Sequence, residues 1–323
     1  MDQPPIAAAR SVSKRWGRTS ALSDVSFELT SGVTALIGPN GAGKTTLISL
    51  LLGLTRRDGG ALEVFGRDPQ TEGLHLRGDL GYSPEHHLLP GDMRADDFVR
   101  LMAEVRGIPP KEARIRASDA LWLVGLGEER HRHLSTMSTG QRQRVKLAQA
   151  VVHSPLLVFL DEPTDGLDPI QRRAMLETIR DIATNRGIDF VVSTHILDEV
   201  ERLCDRVILL DGGRVVLQGA VDELLRSEGA VLVSVDDGAE RLHQELTRRG
   251  LEVVPVSPST LRVTTGDEQR LSSAGERVAD DRDVTVEIVD AVARLGLALR
   301  ELTQRTSGLQ DVFAAARTET ASR

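Results

Sequence analysis

The chain has 323 residues, which is enough for two domains or for one large domain with an appendage. Hydrophobic residues make up 40% of the sequence and aromatic residues only 3%, so the core must be built mainly from aliphatic side chains. The net charge of -8 leaves no basic excess to neutralise phosphates, which argues against nucleic acid as the main partner. The single cysteine, Cys204, excludes an intrachain disulfide framework and is typical of a reducing compartment.

Neither a membrane span nor a secretory signal is expected from the sequence. No segment reaches the roughly 18 uninterrupted apolar residues that a transmembrane helix needs. Residues 1–10 lack a basic region followed by a long apolar core. We therefore expect a cytosolic protein that reaches a membrane only through a partner.

Aliphatic runs and helical patterns alternate from residue 6 to about residue 210. The aliphatic runs are continuous, which is typical of strands buried on both faces of a parallel sheet. They lie at residues 33–37, 156–160 and 188–192. Residues 169–183 have helical periodicity and link the last two runs. This βαβ pattern predicts an α/β fold, with a mostly parallel sheet and helices on both faces.

Two further zones belong to the same predicted domain, which we place at residues 1–220. Residues 12–29 and 62–64 indicate short antiparallel strands at one edge of the fold. A mostly helical zone begins near residue 94, with helices predicted at 95–106 and 111–124 and a proline-containing turn between them.

The pattern changes after Gly219, where a small α+β domain is predicted over residues 221–323. The predicted strands are 230–235, 251–256, 260–265 and, as one possibility, 284–289. The predicted helices are 221–227, 239–249, 267–279 and 291–302. Residues from 318 onward are expected to form a frayed tail.

A phosphate-binding loop follows the strand predicted at 33–37 and precedes a helix predicted at 45–54. The segment satisfies the pattern G-x-x-x-x-G-K-[ST], in which glycines let backbone N–H groups surround a phosphate at a helix N-terminus. Lys44 can reach the β- and γ-phosphates, and the Thr45 hydroxyl can ligate Mg²⁺. The loop residues are Gly38, Pro39, Asn40, Gly41, Ala42, Gly43, Lys44, Thr45 and Thr46.

Polar residues that can complete a nucleotide site follow two of the other predicted strands. Asp161 and Glu162 come directly after an aliphatic run, where Asp161 would hold Mg²⁺ and Glu162 would deprotonate the attacking water. His195 follows the next strand and can contact the γ-phosphate or that water. The other histidines are interpreted as surface or core residues. These are His75, His86, His87, His131, His133, His153 and His243.

A second potential anion site opens the helix that runs to about residue 152. Ser138 can cap this helix, and its first turn carries free N–H groups. One nucleotide cannot easily use both sites of the same chain. A symmetric dimer would resolve this conflict, with the loop of one copy covering the ATP held by the other. The alternative is an ordinary capped helix with a basic face.

Taken together, these motifs resemble the ATPase subunit of ATP-binding-cassette (ABC) transporters, in family order across about residues 6–220. Trp16 matches the aromatic adenine-stacking position, residues 38–45 the Walker A loop, and residues 81–85 the Q-loop with Glu85 as a metal ligand. Residues 157–162 match Walker B and His195 the switch histidine. The signature loop matches Ser138, Thr139, Gly140 and Gln141, and the D-loop matches Gly166, Leu167 and Asp168.

The resemblance implies an ABC cassette of the P-loop NTPase class. Its parts are a mostly parallel core sheet, an antiparallel edge subdomain and a helical subdomain at about 94–150. It also implies ATP and Mg²⁺ as cofactors, a second copy of the chain, and a separate permease at the cytoplasmic face of the membrane. In this resemblance Ser138–Gln141 and Asp168 belong to the nucleotide-binding residues.

Three residues depart from the family pattern. Glu85 stands where Gln is usual; a carboxylate still ligates Mg²⁺ but adds negative charge beside the triphosphate. Thr139 replaces the first glycine of the signature pair, so the loop must avoid a positive φ at this position. Trp16 replaces Tyr and enlarges the stacking face. None of these changes removes a catalytic group.

The C-terminal segment 299–313 resembles the end of the extra domain on bacterial exporter ATPases of the drug-resistance type. Leu309, Val312 and Phe313 fall on one apolar helix face, which packs either within its own domain or against a second copy. This resemblance, together with Glu85, favours export of a drug, an antibiotic, a lipid or a similar substrate.

Two other classes of function compete with a transport ATPase. A non-transport ABC ATPase acting on ribosomes or DNA would usually carry two cassettes or a long coiled-coil insertion, and this chain has one cassette and no such insertion. A non-catalytic regulatory binder would require loss of Lys44, Asp161 or Glu162, and all three are present.

Overall fold

The N-terminal part of the chain forms nine strands, and the continuous aliphatic runs of the sequence become its central ones. The computed structural model describes residues 5–85, 89–226, 230–257, 259–265 and 284–305, together with Leu309 and Phe313. The strands are β1 (Ala7–Trp16), β2 (Thr19–Leu29), β3 (Val33–Ile37), β4 (Gly59–Val64), β5 (Leu80–Ser83), β6 (Leu157–Asp161), β7 (Asp189–Thr194), β8 (Arg206–Asp211) and β9 (Arg214–Ala220).

Eight α-helices are found among the described residues up to 226, along with short 3₁₀ segments at Gly127–His131 and Leu134–Thr136. The helices are α1 (Lys44–Leu51), α2 (Pro69–Asp79), α3 (Ala95–Val105), α4 (Pro110–Leu123), α5 (Thr139–Val151), α6 (Pro169–Arg186), α7 (Leu197–Leu203) and α8 (Val221–Arg226). Contacts divide the chain into two units, the first ending at Val221 and the second beginning at Asp222.

The first unit contains a six-stranded sheet in the order β5-β6-β7-β3-β8-β9. All neighbouring pairs are parallel except β8 and β9. Every residue of β3 and β6 is buried, which explains why these segments are aliphatic throughout rather than alternating. Ile37 pairs with Thr194 and Asp161 with Ser193, so the carboxyl ends of β3, β6 and β7 meet at one edge.

A separate antiparallel sheet has the order β2-β1-β4, as expected for an edge subdomain. Val12 and Leu22 from this sheet belong to the same buried cluster as Ile48 of α1 and Phe159 of β6. The two sheets therefore share one aliphatic core, and α1 lies within it. Helices α3, α4 and α5 pack against one another as a helical subdomain.

The second unit is α+β, with a four-stranded antiparallel sheet in the order β11-β12-β10-β13. Its elements are β10 (Ala230–Val235), α9 (Ala239–Arg248), β11 (Leu251–Ser257), β12 (Thr260–Thr265), α10 (Val284–Arg294) and β13 (Leu299–Arg305). Its core joins alternate residues of β10, such as Val231 and Val233, to Leu242 of α9 and Ile288 of α10. This unit and the first match the fold class expected from the sequence.

The structure corrects two assignments in the second unit. Residues 284–289, considered as a strand, form the start of α10, and the helix assigned to 291–302 ends at Arg294. The reason is periodicity: Val284, Ile288 and Ala291 are all buried on one helix face. Gly296 then adopts a φ of 62°, and the following residues turn into β13, which pairs with β10.

Some expectations fall on residues that the structure does not describe. The helix expected at 267–279, the tail from 318 and Val312 lie outside the described residues. Leu309 and Phe313 are described, and both are buried. Among the described helices, none has the length and apolar character needed to traverse a bilayer.

Candidate active site

The predicted phosphate loop connects β3 to α1, and two of its glycines are required by the backbone. Gly43 caps α1 in the left-handed region with a φ of 104°. A Cβ atom at Gly43 would lie 2.6 Å from the Ala21 carbonyl oxygen, and one at Gly38 would lie 2.2 Å from the Leu210 carbonyl oxygen. Any side chain at either position would therefore displace the loop.

The loop borders a cleft of about 300 Å³ at the sheet edge where β3 and β6 end. The cleft is lined by Thr19, Ser20, Ala21, Pro39, Asn40, Gly41, Gly43, Lys44, Thr45, Thr46, Glu85, Asp161 and Glu162. Gly38 and Ala42 are buried in the loop itself. The structure thus brings the predicted loop residues and the three predicted acidic residues to one cavity.

Lys44, Glu162 and His195 form a connected polar group at this cleft. The Lys44 ammonium donates to the Gly38 carbonyl oxygen at 2.7 Å and lies 3.6 Å from Glu162 Oε1. The other carboxylate oxygen of Glu162 is 3.0 Å from His195 Nδ1. Lys44 and Glu162 are buried, whereas the His195 side chain is 57% exposed. One side of the pair is therefore shielded from solvent and the other is open to it.

The Glu162 carboxylate is held in an environment suited to a general base. Burial raises the pKa of Glu162, and the nearby His195 and Lys44 partly oppose this shift. A raised carboxylate pKa brings the group closer to neutrality, where proton abstraction is more efficient. Glu162 also adopts a φ of 48°, a strained conformation for a non-glycine residue that is often found at functional sites.

Oxygen ligands of the kind that Mg²⁺ prefers converge beside the loop. The Thr45 hydroxyl donates to Asp161 Oδ2 at 3.0 Å, and Ser193 Oγ donates to the other oxygen of that carboxylate. Glu85 lines the same cleft. A hydroxyl with one or two carboxylates beside a phosphate site is a donor set that fits Mg²⁺.

Lys146 of α5 lies behind this acidic group. It is only 5% exposed, and its ammonium donates to the Glu85 carbonyl oxygen at 3.1 Å. Burial lowers the pKa of Lys146, while Asp161, Glu85 and Asp165 oppose that shift. The helix that carries the signature motif is thereby connected to the segment that carries Glu85.

Trp16 is outside the set of residues that line the cleft, but it lies at the same end of the β1–β2 hairpin. It pairs with Thr19, which does line the cleft. The Trp16 side chain is 53% exposed, and its ring lies 4.8 Å from the Lys14 ammonium. An exposed aromatic face at this position is available for stacking.

The predicted signature residues cap α5. Ser138 Oγ accepts from the Gln141 N–H at 3.2 Å, and the Gln141 side chain accepts from the Ser138 N–H at 3.0 Å, which completes a capping box. Ser138 and Thr139 are exposed. Thr139 is the first residue of the helix, so it has no positive φ, as its replacement of glycine requires.

Within the described part of the chain, none of Ser138–Gln141 lines the cleft of its own phosphate loop. Their neighbours belong to the D-loop: Gln143 donates to the Asp165 carbonyl oxygen at 3.3 Å, and a Cβ at Gly140 would lie 2.6 Å from Gln171 Oε1. Asp168, exposed, caps α6 by accepting from the N–H groups of Ile170 and Gln171. The signature and D-loop residues thus form a second polar surface.

Sequence reasoning missed several residues that shape the site. Ser193 ties Asp161 to the Glu162 backbone, because its hydroxyl accepts from the Glu162 N–H at 3.0 Å. Ser20 and Ala21 line the cleft from the β1–β2 hairpin. A serine at the end of a buried aliphatic run was the available signal for Ser193. Nothing local in the sequence distinguishes Ser20 and Ala21, since their proximity depends on packing between the two sheets.

Comparison with known proteins is consistent with this geometry. A family model described as ABC transporter matches residues 22–165. Daunorubicin/doxorubicin resistance ATP-binding protein DrrA of Streptomyces peucetius is 31% identical over 303 residues, which cover 94% of this chain and 89% of that protein. Linearmycin resistance ATP-binding protein LnrL of Bacillus subtilis is 33% identical over 217 residues, covering 67% and 70% of the two chains.

A solved structure described as the ATP binding subunit of an ABC transporter superposes with a TM-score of 0.60 and 30% identity. The match covers 68% of this chain and 92% of that one. The motif order, the fold and a relative matched over nearly its whole length agree. The chain belongs to the ATP-binding subunits of ABC transporters and is an ABC-type ATPase.

Proposed function

We propose that this subunit hydrolyses Mg·ATP at the cleft beside the phosphate loop and powers export of a drug, an antibiotic or a lipid-like compound through a separate membrane permease. The observation that carries the site assignment is the connected group of Lys44, Glu162 and His195 on the cleft that also holds Thr45 and Asp161. Two relatives named for resistance to daunorubicin/doxorubicin and linearmycin support a substrate of this class.

Each residue has a distinct role in the proposed reaction. Lys44 and the backbone N–H groups of the loop hold the β- and γ-phosphates. Glu162 takes a proton from the attacking water, and His195, bonded to its other oxygen, keeps the carboxylate oriented and contacts the transferred phosphoryl group. Thr45, Asp161 and Glu85 would hold Mg²⁺, which neutralises charge on the phosphate oxygens when bound. Trp16 stacks on the adenine.

The signature residues act on the nucleotide of a second copy. Ser138 and Thr139 are exposed at the N-terminus of α5, where N–H groups and the helix dipole favour an anion. In the proposed dimer, Ser138, Thr139, Gly140 and Gln141 of one copy approach the γ-phosphate held by Lys44 of the other, with Asp168 at the same interface. The partners are therefore a second copy and a permease at the cytoplasmic face of the membrane.

The ribosomal or DNA-acting alternative has no support among the relatives described above, which are subunits of transporters or resistance systems. Purification of the tagged chain from its native membrane tests the partner directly. We expect a membrane permease to copurify; a ribosomal or DNA-bound complex would instead favour the alternative.

The Glu162→Gln variant tests the assignment of the general base. Glutamine keeps the size and the hydrogen bonding of the side chain but cannot accept a proton, so we expect hydrolysis to fall by about 100-fold or more while Mg·ATP binding persists. Steady-state phosphate release and equilibrium ATP binding measure the two quantities. Glu177→Gln, at an exposed position of α6, is the matched control. Hydrolysis by Glu162→Gln at the parental rate would make the assignment wrong.

A further inference from the structure

A buried carboxylate that the mechanism above does not use lies directly behind the active site. Glu199, in the first turn of α7, is only 2% exposed. A buried carboxylate is costly unless its oxygens are satisfied. One oxygen of Glu199 accepts from the Thr164 hydroxyl at 2.6 Å, and the other accepts from the Thr194 hydroxyl at 2.7 Å. Arg172 Nε lies 3.3 Å from the first of these oxygens.

The two threonines belong to the two segments that carry the proposed catalytic pair. Thr164 comes two residues after Glu162, and Thr194 comes directly before His195. Both threonines are almost completely buried, with exposures of 2% and 1%. The carboxylate of Glu199 therefore joins the loop after β6 to the end of β7, on the side of these segments away from the cleft.

The Thr194 hydroxyl also shapes the turn that contains His195. It accepts from the Ile196 N–H at 3.1 Å while donating to Glu199. This bond spans His195, so the backbone on both sides of the histidine is fixed to one buried group. The histidine side chain itself is mostly exposed, and its ring is bonded to Glu162. Its position must therefore be set largely from the backbone.

The loop of Glu162 has a similar requirement. A non-glycine residue with a φ of 48° is strained by about 1–3 kcal/mol and persists only when its surroundings fix it. Ser193 fixes the Glu162 N–H, and Glu199 fixes Thr164 two residues later. Arg172, which pairs with Glu199, also donates to the Leu167 carbonyl oxygen at 3.5 Å, so the rest of this loop is attached to the same group.

We propose that Glu199 is a positioning residue for ATP hydrolysis, which sets the contact between Glu162 and His195 by binding the threonine beside each of them. This inference rests on the roles proposed above for Glu162 and His195. The simpler possibility is that Glu199 only stabilises the folded unit. The two readings differ in their kinetic consequences, because a positioning residue acts on the chemical step whereas a purely structural one acts on the amount of folded protein.

The test uses the full-length chain with three variants that alter the same link. Glu199→Gln keeps the shape of the side chain but replaces one acceptor oxygen with a donor and removes the charge that pairs with Arg172. Thr164→Val and Thr194→Val each remove one hydroxyl with little change in volume. Thr178→Val is the matched control, because its hydroxyl bonds within α6 to the Ala174 carbonyl oxygen.

We expect each of the three variants to lower kcat by about tenfold while KM for Mg·ATP stays within about twofold of the parent, since ATP binding does not require the Glu162–His195 contact. Thr178→Val should leave both constants unchanged. Thermal unfolding measures folding in parallel, and the two threonine variants keep the test decisive if Glu199→Gln folds poorly. Unchanged kcat in both threonine variants would overturn the proposal.

Combination with His195→Ala separates the two roles of Glu199. If Glu199 acts by positioning His195 against Glu162, Thr194→Val should cost less than about twofold in kcat once His195 is absent. A purely structural role would give the same fold-loss with and without His195, and that result would overturn the proposal. Parental hydrolysis by Glu162→Gln and His195→Ala would instead show that the proposed function is wrong. Loss of hydrolysis in those two variants with normal kcat in the threonine variants would remove the present inference alone.

Discussion

At the scale of single residues, His153 illustrates how burial turns an ordinary histidine into a pH-sensitive part of the fold. It lies just after α5, and its Nε2 is 3.0 Å from the Leu80 carbonyl oxygen at the start of β5. Burial lowers its pKa to about 4, assisted by Arg106 and Arg116 and opposed by the Leu80 carbonyl and Asp79. The sequence interpretation of this histidine as a structural residue is consistent with these contacts.

Stability is therefore expected to fall when the medium is acidified. Above pH 6.5 both states carry neutral His153, so its contribution is fully present; below that pH the unfolded state takes up a proton that the folded state resists until about pH 4. This linkage lowers the free energy of unfolding by about 2 kcal/mol between pH 7 and pH 5. Urea unfolding at both pH values, on the parent and on His153→Gln, measures the effect.

The variant should show a smaller loss between the two pH values than the parent. His75→Gln is the control, because His75 is exposed on α2. A parental pH dependence in His153→Gln would assign the acid sensitivity to other groups.

At the scale of secondary structure, the sequence predicted the buried elements well because burial restricts composition. The strand expected at 33–37 is β3, and the helix expected at 169–183 is α6, with an end at Arg186. Assignment was wrong at 284–302, where short apolar runs fit either a strand or a helix. Only the tertiary partner distinguishes them: α10 packs on the sheet of the second unit, whereas β13 pairs with β10.

The phosphate loop gives a prediction for this scale, because its turn requires glycine for two separate reasons. Gly43 has a φ of 104° and lies against the Ala21 carbonyl oxygen, whereas Gly187 has a φ of 63° at the end of α6 with open space around it. Gly187→Ala should therefore cost only the strain of the left-handed backbone, about 1 kcal/mol. Gly43→Ala adds a clash with the backbone of β2.

We expect Gly43→Ala to displace the loop from β2 and to lose most ATP affinity, whereas Gly187→Ala retains it. Equilibrium binding of ATP and thermal unfolding, measured on both variants, separate the loss of the site from a general loss of stability. Parental ATP affinity in Gly43→Ala would mean that the loop does not need this backbone geometry to hold a phosphate.

At the scale of the whole molecule, the sequence located the site residues that carry their own chemistry but not those that support them. Lys44, Asp161, Glu162 and His195 follow β3, β6 and β7 along the chain, and parallel strands bring such positions together. Glu199 and Lys146 were missed because each lies within a helix and gains its importance from distant contacts. Their burial, which no local pattern reports, is what makes these contacts significant.

The sequence also anticipated that one chain has two candidate anion sites that a single nucleotide cannot share. The structure is compatible with this view, since the signature residues are exposed and do not line the cleft of their own chain in the part that the structure describes. Two variants separate the sites. Lys44→Ala disables the phosphate loop. Ser138→Asp retains a good helix cap but places a carboxylate where the partner's γ-phosphate is expected.

Each variant alone should have little ATPase activity, because each homodimer has two defective composite sites. In an equal mixture that has exchanged subunits, half of the dimers are mixed. Each mixed dimer combines the intact loop of the Ser138→Asp chain with the intact signature of the Lys44→Ala chain in one of its two sites. Activity should therefore return to at most about a quarter of the parental value if the sites act independently. Phosphate release before and after mixing measures this recovery. If the signature loop served its own chain, no chain in the mixture would hold an intact pair and activity would stay at the level of the separate variants.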